Sequence, residues 1–313
     1  MSVVMIAENF PRLLDDRLTK VFENEWKEIP DQRDEIYTTT QSDRAWEEFY
    51  GVSDLPDVPA FNGALEYLGQ VPEYLIRVEP KTYAAGVQWD QTFLEDKRYK
   101  VMTDQAGALT RSMRRVYAKK GMELLSHAWD GVNLYASYEE GLSLCNSAHT
   151  TKAPVSTASG FSNTGTSAIS KTSIGATRIA MMKFRNSIGQ RIDVSPDTIF
   201  VPITQMDAAF EAVGDNNAGV KSMLDPDSAN HKINAQFGRF RVVPLYRLDD
   251  YLTQSWFMAD SKMLKRYAVW LERVKPATKT TVDFETFSAK WSVRARFGAA
   301  ILDWRPIYGH YLG

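Results

Sequence analysis

The most regular hydrophobic pattern of the chain runs from Tyr99 to Trp129. Apolar residues recur there at three- and four-residue spacing, which is typical of an amphipathic helix. A helix of about 30 residues would be about 45 Å long, which suits a strut better than an ordinary globular helix. The apolar positions are Leu109, Met113, Val116, Tyr117, Leu124 and Ala128. The remaining helix surface carries Arg111, Arg114, Arg115, Lys119 and Lys120.

The first 60 residues show only short amphipathic patterns. Residues 6–26 carry a helical apolar stripe, and residues 27–43 are mostly polar. Pro56, Pro59 and Gly63 then interrupt any helix. We interpret residues 1–60 as an N-terminal arm whose pieces cannot form a hydrophobic core of their own.

Residues 61–92 change to a strand-like pattern between Ala64 and Trp89. Pro72 and Pro80 argue against a central sheet strand, because proline lacks the N–H that a ladder requires. The pattern therefore predicts a projecting two-stranded hairpin. Since an isolated hairpin is only marginally stable in water, we expect it to need a partner surface.

The second half of the chain predicts a small α/β unit and then a series of strands. A Ser/Thr/Gly-rich loop at 147–173 precedes it, and Gly189 and Gly214 end its helices. We place this unit at 150–255. The predicted helices and strands of the second half are Ile174–Ile188, Thr198–Pro202, Met206–Val213, Arg239–Tyr246, Ser255–Ala259, Tyr267–Val274 and Trp291–Ile301.

The last strands lie far in sequence from the long helix but need a core. We expect them to return and pack on it, so that residues 93–149 and 256–313 form one discontinuous domain. The predicted fold class is α+β.

Composition narrows the classes of protein that remain. The 313 residues are 44% hydrophobic with a formal charge of -2, so the chain is long enough for about two compact units and has no overall basic field. The longest apolar runs fall short of the roughly 20 residues that a membrane span needs. The single cysteine, Cys145, excludes an intrachain disulfide and suits a reducing compartment.

Catalytic patterns are scarce, and we predict a protein that is not an enzyme and has no cofactor. Phosphate-binding loops are absent, and the histidines show no metal-ligand spacing. Cys145 and His149 could be interpreted as a nucleophile and its base, but a stray thiol beside a surface histidine is the commoner case. The carboxylates that precede the long helix are typical complements of a helix dipole. The histidines are His127, His149, His231 and His310, and the carboxylates are Asp90, Glu95 and Asp96.

The basic residues of the long helix leave two interpretations open. They could face a polyanion such as packaged DNA, without sequence preference. They could instead form a solvated face, or pair with acidic residues of a neighbouring chain.

The order of these parts resembles the Hong Kong 97-type fold of tailed-phage major capsid proteins, and most of all the Mu-like major head subunit family. The likeness covers nearly the whole chain and rests on the order of several local stretches. These are Val78–Tyr83 through Phe93–Arg98, Gly175–Gly189, Ser195–Pro202, Ser255–Asp260, Trp291–Gly298 and Asp303–Arg305.

The resemblance implies a role for each part of the chain. The arm and the hairpin, called the extended loop in the family, would lie across neighbouring subunits. The long helix would be the spine of the peripheral domain, and 150–255 would be the axial domain. Hexamers and pentamers would form an icosahedral head around double-stranded DNA. From their position on these elements, we predict that Arg77, Glu79, Asp303 and Arg305 make charged contacts within or between chains.

The resemblance also implies partners and a location. We expect a scaffolding protein that is separate or already removed, a portal, a decoration protein and non-specific contact with packaged DNA. The protein would be assembled in the host cytoplasm and reside in the virion, without contact with a membrane. Some relatives cross-link their subunits through lysine and asparagine, but nothing distinguishes Lys81 or Lys97 from ordinary surface lysines.

Three alternatives remain at this stage. An encapsulin has the same fold but encloses cargo proteins. A soluble hydrolase would use Cys145 and His149. Another phage structural protein, such as a tail-tube subunit, fits less well because tube proteins consist mostly of strands, whereas this chain predicts a long helix.

Overall fold

The structure is a computed structural model that describes residues 9–28, 31–90, 92, 93, 96, 98–130, 135–214, 234–283 and 288–313, with the side chains of the first helix described from residue 17 onwards. The helices are α1 (Asn9–Glu28), α2 (Tyr99–Ser126), α3 (Lys171–Met181), α4 (Met206–Val213) and α5 (Ser261–Tyr267), with 3-10 turns at Gln32–Glu35 and Ile203–Gln205. The strands are β1 (Thr38–Gln41), β2 (Glu47–Val52), β3 (Pro72–Val78), β4 (Lys81–Asp90), β5 (Ala136–Tyr138), β6 (Thr164–Gly165), β7 (Thr198–Val201), β8 (Arg241–Pro244), β9 (Trp256–Ala259), β10 (Ala268–Asp283), β11 (Ser288–Ile301) and β12 (Ile307–His310).

The long helix predicted from the apolar spacing is α2, which has 28 residues and a length of about 42 Å. One face of it is buried by the main sheet, whose strand order is β1-β10-β11-β4. Tyr117 packs against Trp270 of β10 and Phe297 of β11, with ring centroids 5.7 and 4.3 Å away. The prediction that late strands return to pack on the long helix is therefore confirmed.

The half of the β10–β11 pair that contains the start of β10 and the end of β11, called the near half, is covered on both faces. The helical layer covers one face, and the small sheet β2-β3-β5 covers the other. Val269 and Leu271 of β10 contact Ile76 and Val78 of β3 in an apolar cluster on this second face. The far half of the pair extends beyond the small sheet only. Its Trp291 and Val293 stay buried in the core around α2, whereas on the opposite face alternate residues of β10 are exposed from Lys275 onwards.

A five-stranded sheet, β6-β12-β9-β7-β8, is the wall between the two largest cores. Successive residues of a strand point to opposite faces. Thus Phe257 and Ala259 of β9 belong to the core around α2, whereas Trp256 and Met258 belong to the second core, with α3 and α4. Because both faces of β9 are buried, it is apolar at every position.

Membership of this sheet corrects one domain assignment. We expected residues 256–313 to lie wholly with the long helix. Instead β9 pairs with β7 and β12, so β9 and β12 belong to the five-stranded sheet. Strands β10 and β11 belong to the main sheet that packs on α2. The apolar residues on both faces of β9 indicate a central strand with a neighbour on each side. The sequence does not identify those two neighbours.

The predicted hairpin within residues 61–92 is wrong. β3 pairs with β2 and β5, whereas β4 pairs with β11, so the two segments belong to different sheets. The chain crosses from one sheet to the other at Glu79 and Pro80, where proline lacks the N–H that would continue the ladder. The hairpin that forms is β2–β3, with residues 53–71 as its connection.

The arm has a core within its own chain, contrary to expectation. Leu18 and Phe22 of α1 are buried against α2, and Trp26 meets Tyr117 edge-on at 5.2 Å. Further along, β1 adds to the main sheet in parallel with β10. The described part of the arm is thus held by contacts inside one subunit. The predicted helix starts three residues earlier than α1, at positions outside the described residues.

The elements of the α/β unit follow their predictions, with one difference. Strand β7 and helix α4 form as expected, and α4 ends at Gly214, which has a left-handed φ of 63°. Helix α3 starts at a capping box formed by Ser170 and Ser173. It ends at Met181, seven residues before its predicted end, because the chain turns there and Arg185 bridges to Arg191.

Candidate subunit-contact surfaces

The connection of the β2–β3 hairpin, residues 53–71, exposes large apolar side chains. Its base is closed by Ser53, which exchanges backbone and side-chain hydrogen bonds of 2.9 and 2.8 Å with Val71. Such a cluster of exposed apolar groups is typical of a surface that another chain covers. The exposed side chains are Leu55 (49%), Val58 (87%), Phe61 (73%), Leu65 (76%) and Tyr67 (92%).

The sequence analysis missed these residues as contact candidates. The pattern that could have identified them is a run of apolar residues without helical or strand periodicity, separated by prolines and glycine. The same hairpin is acidic, because residues 45–80 contain seven acidic residues and a single basic one, Arg77. The acidic residues are Glu47, Glu48, Asp54, Asp57, Glu66, Glu73 and Glu79.

Arg77 and Glu79, two of the predicted contact residues, form an ion pair with each other. Arg77 Nη2 lies 2.7 Å from Glu79 Oε1, and the side chains are 38% and 60% exposed. The guanidinium also lies 4.2 Å from the ring centroid of Trp46. The contact within the chain is therefore present, and a role between subunits stays a prediction.

Asp303 and Arg305 lie together at the turn before β12. Arg305 Nη1 lies 3.1 Å from Asp303 Oδ1, and both side chains are mostly buried. Arg305 Nε donates to the carbonyl of Arg185 at 2.7 Å, and its guanidinium stacks on Trp304. These bonds tie the turn to the segment after α3. A contact of this pair with another subunit stays a prediction.

The five basic residues predicted to share one surface of α2 do not form one exposed face. Arg114 is buried, donates to Asp31 at 2.9 Å and lies over the ring of Trp26. Burial raises the pKa of the Asp31 carboxyl, but hydrogen bonds and charge from Arg33 and Arg114 outweigh it and lower the pKa overall.

Other basic residues of the helix differ in their surroundings. Arg111 pairs with Glu25 at 2.7 Å, and Lys120 pairs with Glu123. Arg115 and Lys119 are exposed. Acidic residues of the same chain therefore take three of the five cations, and DNA contact by the helix stays a prediction.

The proposed pair of Cys145 and His149 has no geometry for nucleophilic catalysis. Burial raises the pKa of the Cys145 thiol, which opposes formation of a thiolate. The ring nitrogens of His149 face Glu140 at 3.2 Å and Asn163 at 3.1 Å instead of the thiol. The ring stacks flat on Trp304, with centroids 4.3 Å apart. The hydrolase interpretation of this pair is wrong.

Among the described residues, the other carboxylate and histidine considered as chemical groups make structural contacts. Asp90 accepts the backbone N–H of Thr92 at 2.9 Å, which lowers the pKa of its carboxyl. The first turn of α2 contains no acidic residue, so a role of these carboxylates at the helix dipole stays a prediction. His310 is buried against Trp256. Glu95, Lys97 and His231 lie outside the described residues.

The described residues contain neither a candidate metal site nor a candidate membrane span. No cluster of three potential metal-ligating side chains occurs among them. None of their helices is both long and apolar enough to cross a membrane.

Comparison with solved structures defines the class of fold. A chain from the capsid of an empty GTA particle matches with a TM-score of 0.54 and 12% identity, over 91% of this chain and 92% of that one. Microbacterium phage Oxtober96 gives 0.52 and 10%, over 91% and 92%. Mycobacterium phage Adephagia gives 0.51 and 12%, over 88% of both chains. The fold is that of tailed-phage capsid proteins of the Hong Kong 97 type.

The sequence itself defines the family. The profile of the family described as "Phage capsid protein" matches residues 73–309, which is more than half of the chain. This chain therefore belongs to the phage capsid protein family. No curated protein matches it. The narrower resemblance to the Mu-like major head subunit family is not confirmed by these comparisons.

Proposed function

We propose that this protein is a major capsid protein whose copies assemble as hexamers and pentamers into an icosahedral phage head around double-stranded DNA. The observation that carries the proposal, beyond family membership, is the 53–71 connection. It exposes five large apolar side chains, of which Val58 and Tyr67 are 87% and 92% exposed. Apolar surface of this kind is stabilised when a neighbouring copy removes it from water.

Each part of the fold has a role in the proposed shell. The extended loop is the β2–β3 hairpin, residues 47–78, in place of the 61–92 predicted from the sequence. The peripheral domain consists of α2 with β10 and β11. The axial domain consists of 150–255 together with β9 and β12. Helix α1 supports the spine helix within its own subunit instead of reaching across to another.

The family also supports the remaining partners as proposals. A scaffolding protein would guide assembly, a portal would occupy one vertex, and a decoration protein would bind the finished shell. Packaged DNA would touch the inner surface without sequence preference, with Arg115 and Lys119 as two exposed cations of the spine helix. Assembly would take place in the host cytoplasm and yield the virion. The role is structural and requires no catalysis.

The test is electron microscopy of the purified chain, with light scattering in parallel. Closed shells, or rings of five and six subunits, are the expected products. A discrete small dimer that never assembles further would refute the proposal. The Phe61→Asp variant should lower shell yield while the melting temperature of unassembled protein stays within about 2 °C of wild type, because Phe61 is 73% exposed in the single subunit.

A further inference from the structure

A cavity of about 760 Å³ lies beside the small sheet β2-β3-β5. Its walls come from β2 and β3, from residues 139–152, from the segment after α3, from the ends of α2 and α5, and from the turn before β12. Small-molecule sites in proteins usually have volumes of about 300–1,000 Å³. The cavity is therefore large enough to hold a small organic molecule.

The walls of this cavity are strongly acidic. Seven carboxylates line it, against three lysine or arginine side chains, in a chain whose formal charge is only -2. A concave site with walls of one charge sign concentrates counter-ions, so this one attracts cations. The carboxylates are those of Glu48, Asp54, Glu73, Asp130, Glu139, Glu140 and Asp303, and the basic residues are Lys152, Arg266 and Arg305.

Ion pairs within the chain neutralise only part of this charge. Two of the three basic side chains already pair with carboxylates of the wall, Lys152 with Glu139 at 2.7 Å and the other in the turn before β12. Five carboxylates then lie beside one arginine and two histidines. Glu48 and Asp54 accept hydrogen bonds from a tyrosine hydroxyl and an asparagine amide, at 2.7 and 3.0 Å. Among the described residues, neither they nor Glu73 form an ion pair.

Two of the carboxylates are held in place by backbone N–H groups. Glu139 accepts from Leu75 at 2.7 Å, and Glu140 accepts from Thr150 at 2.7 Å. The bond from Leu75, with further help from a lysine, lowers the pKa of the Glu139 carboxyl. Burial raises the pKa of Glu140, but hydrogen bonds from His149 and Thr150 outweigh it and lower the pKa overall. Both groups therefore carry their negative charge near neutral pH.

A buried hydroxyl group at the wall lacks a partner. Ser187 lines the cavity and is 3% exposed, and its Oγ forms no hydrogen bond with the described residues. Buried polar atoms nearly always have a partner, so this oxygen indicates a group from outside the chain that supplies an N–H or O–H.

Aromatic and aliphatic side chains fill the wall between the charged groups. Tyr74, Tyr138 and Tyr267 line the cavity together with Leu142 and Met263. Aromatic faces attract ammonium groups, and aliphatic side chains suit a chain of methylene groups. The carboxylates are too far apart for a metal ion, because no three potential metal-ligating side chains cluster among the described residues. The walls thus fit a cation that is long, partly apolar and charged at several points.

We infer that this cavity binds a linear polyamine, in which methylene chains join two or more ammonium groups. Separated ammonium groups meet separated carboxylates, and the methylene chains lie on the tyrosine, leucine and methionine side chains. An ammonium N–H also supplies the donor that Ser187 Oγ lacks. This ligand goes beyond the proposed function and does not depend on it, since the cavity is formed within one subunit.

Isothermal titration calorimetry of the unassembled full chain with spermidine, at low ionic strength, tests the inference. The cavity variant is Glu48→Gln/Glu73→Gln, which removes two unpaired charges and should weaken binding about tenfold or more. The matched control is Asp207→Asn/Glu211→Gln, which removes two exposed charges of α4 outside the cavity and should bind as wild type does. A neutral diol with a methylene chain of similar length should not bind. Both variants must melt within about 2 °C of wild type.

Three results would overturn the inference. The first is a wild-type dissociation constant above about 10 mM. The second is an equal loss of affinity in the cavity and control variants, which would show a response to net charge alone. The third is binding by unassembled chains but not by empty shells, which would assign the cavity to lysine ammonium groups of a neighbouring copy. Failure to form shells would refute the proposed function and leave the binding result unchanged.

Discussion

Gly121, near the C-terminal end of α2, should be needed for the N-terminal segment to pack on the long helix. A Cβ atom at this position would lie 2.3 Å from Cγ of Arg33 and 2.9 Å from its Cδ. These atoms are the buried stem of a side chain that is 7% exposed, so they cannot simply swing into solvent. The Gly121→Ala substitution must therefore displace Arg33.

The energy of this displacement follows from the contacts of Arg33. Its Nε donates to Asp31 at 2.9 Å, and its guanidinium lies 4.7 and 4.3 Å from the ring centroids of Tyr117 and Trp270. The charged hydrogen bonds contribute about 1.5–3 kcal/mol and the stacking about 0.5–2 kcal/mol. Alanine gains about 1 kcal/mol over glycine in a helix interior. The net loss in the free energy of unfolding should be about 1–4 kcal/mol.

Equilibrium urea unfolding of the unassembled chain, followed by tryptophan fluorescence, measures this loss. Gly107→Ala is the matched control on the same helix. Its Cβ would meet only the ends of Glu25 and Arg111, at 3.0 and 3.3 Å. These flexible ends can move, so the control should range from neutral to about 1 kcal/mol more stable. A Gly121→Ala protein as stable as wild type would refute the packing argument.

Three further outcomes follow from buried groups. Burial lowers the pKa of His310 from 6.5 to about 4, and Ser167 N–H donates to its Nδ1, so the folded state holds the neutral ring. The neutral ring contributes its full stability above pH 6.5, and this contribution is lost as the pH falls towards 4. The loss in the free energy of unfolding should be about 2 kcal/mol at pH 5. Urea midpoints of His310→Gln should therefore change less over this pH range than those of wild type. Arg114→Ala should lower the free energy of unfolding by about 2 kcal/mol and Arg115→Ala by less than about 0.5 kcal/mol, and equal effects would contradict the burial difference. Leu18→Ala should cost about 2–4 kcal/mol in the same assay, whereas no loss would show that α1 does not pack on its own subunit in solution.

Local patterns predicted the elements well, because helix and strand periodicity depends on near neighbours. The 3.6-residue spacing located α2 from its first residue, and Gly214 marked the end of α4. Strand β9 was visible as a short apolar run. Its place between two cores was not, because the neighbours of a central strand lie far away in sequence.

The predictions of the hairpin and of the arm failed because they depend on which distant segments pack together. Pro80 was correctly interpreted as a break, but Pro72 is the first residue of β3, the central strand of its sheet, where the sequence argued against a central strand. The strands on either side of Pro80 look alike whether they pair together or apart. The apolar stripe of α1 was also visible, yet nothing local indicates that α2 covers it. The acidic excess of the β2–β3 hairpin could be counted in the sequence. Which apolar residues of its connection are exposed could be known only from the folded chain.

The parallel pairing of β1 with β10 determines when the subunit can be completed during synthesis. Thr38 is registered with Val269, so the segment that contains β1 must wait for 231 further residues. At about 5–20 residues per second, the ribosome needs about 10–45 s to supply them. From the moment α2 has been made, its aromatic face lacks Trp270 and Phe297 until those residues are translated. A nascent chain therefore exposes an apolar helix that a chaperone can bind. A subunit becomes able to join a shell only after its last long strand has been translated.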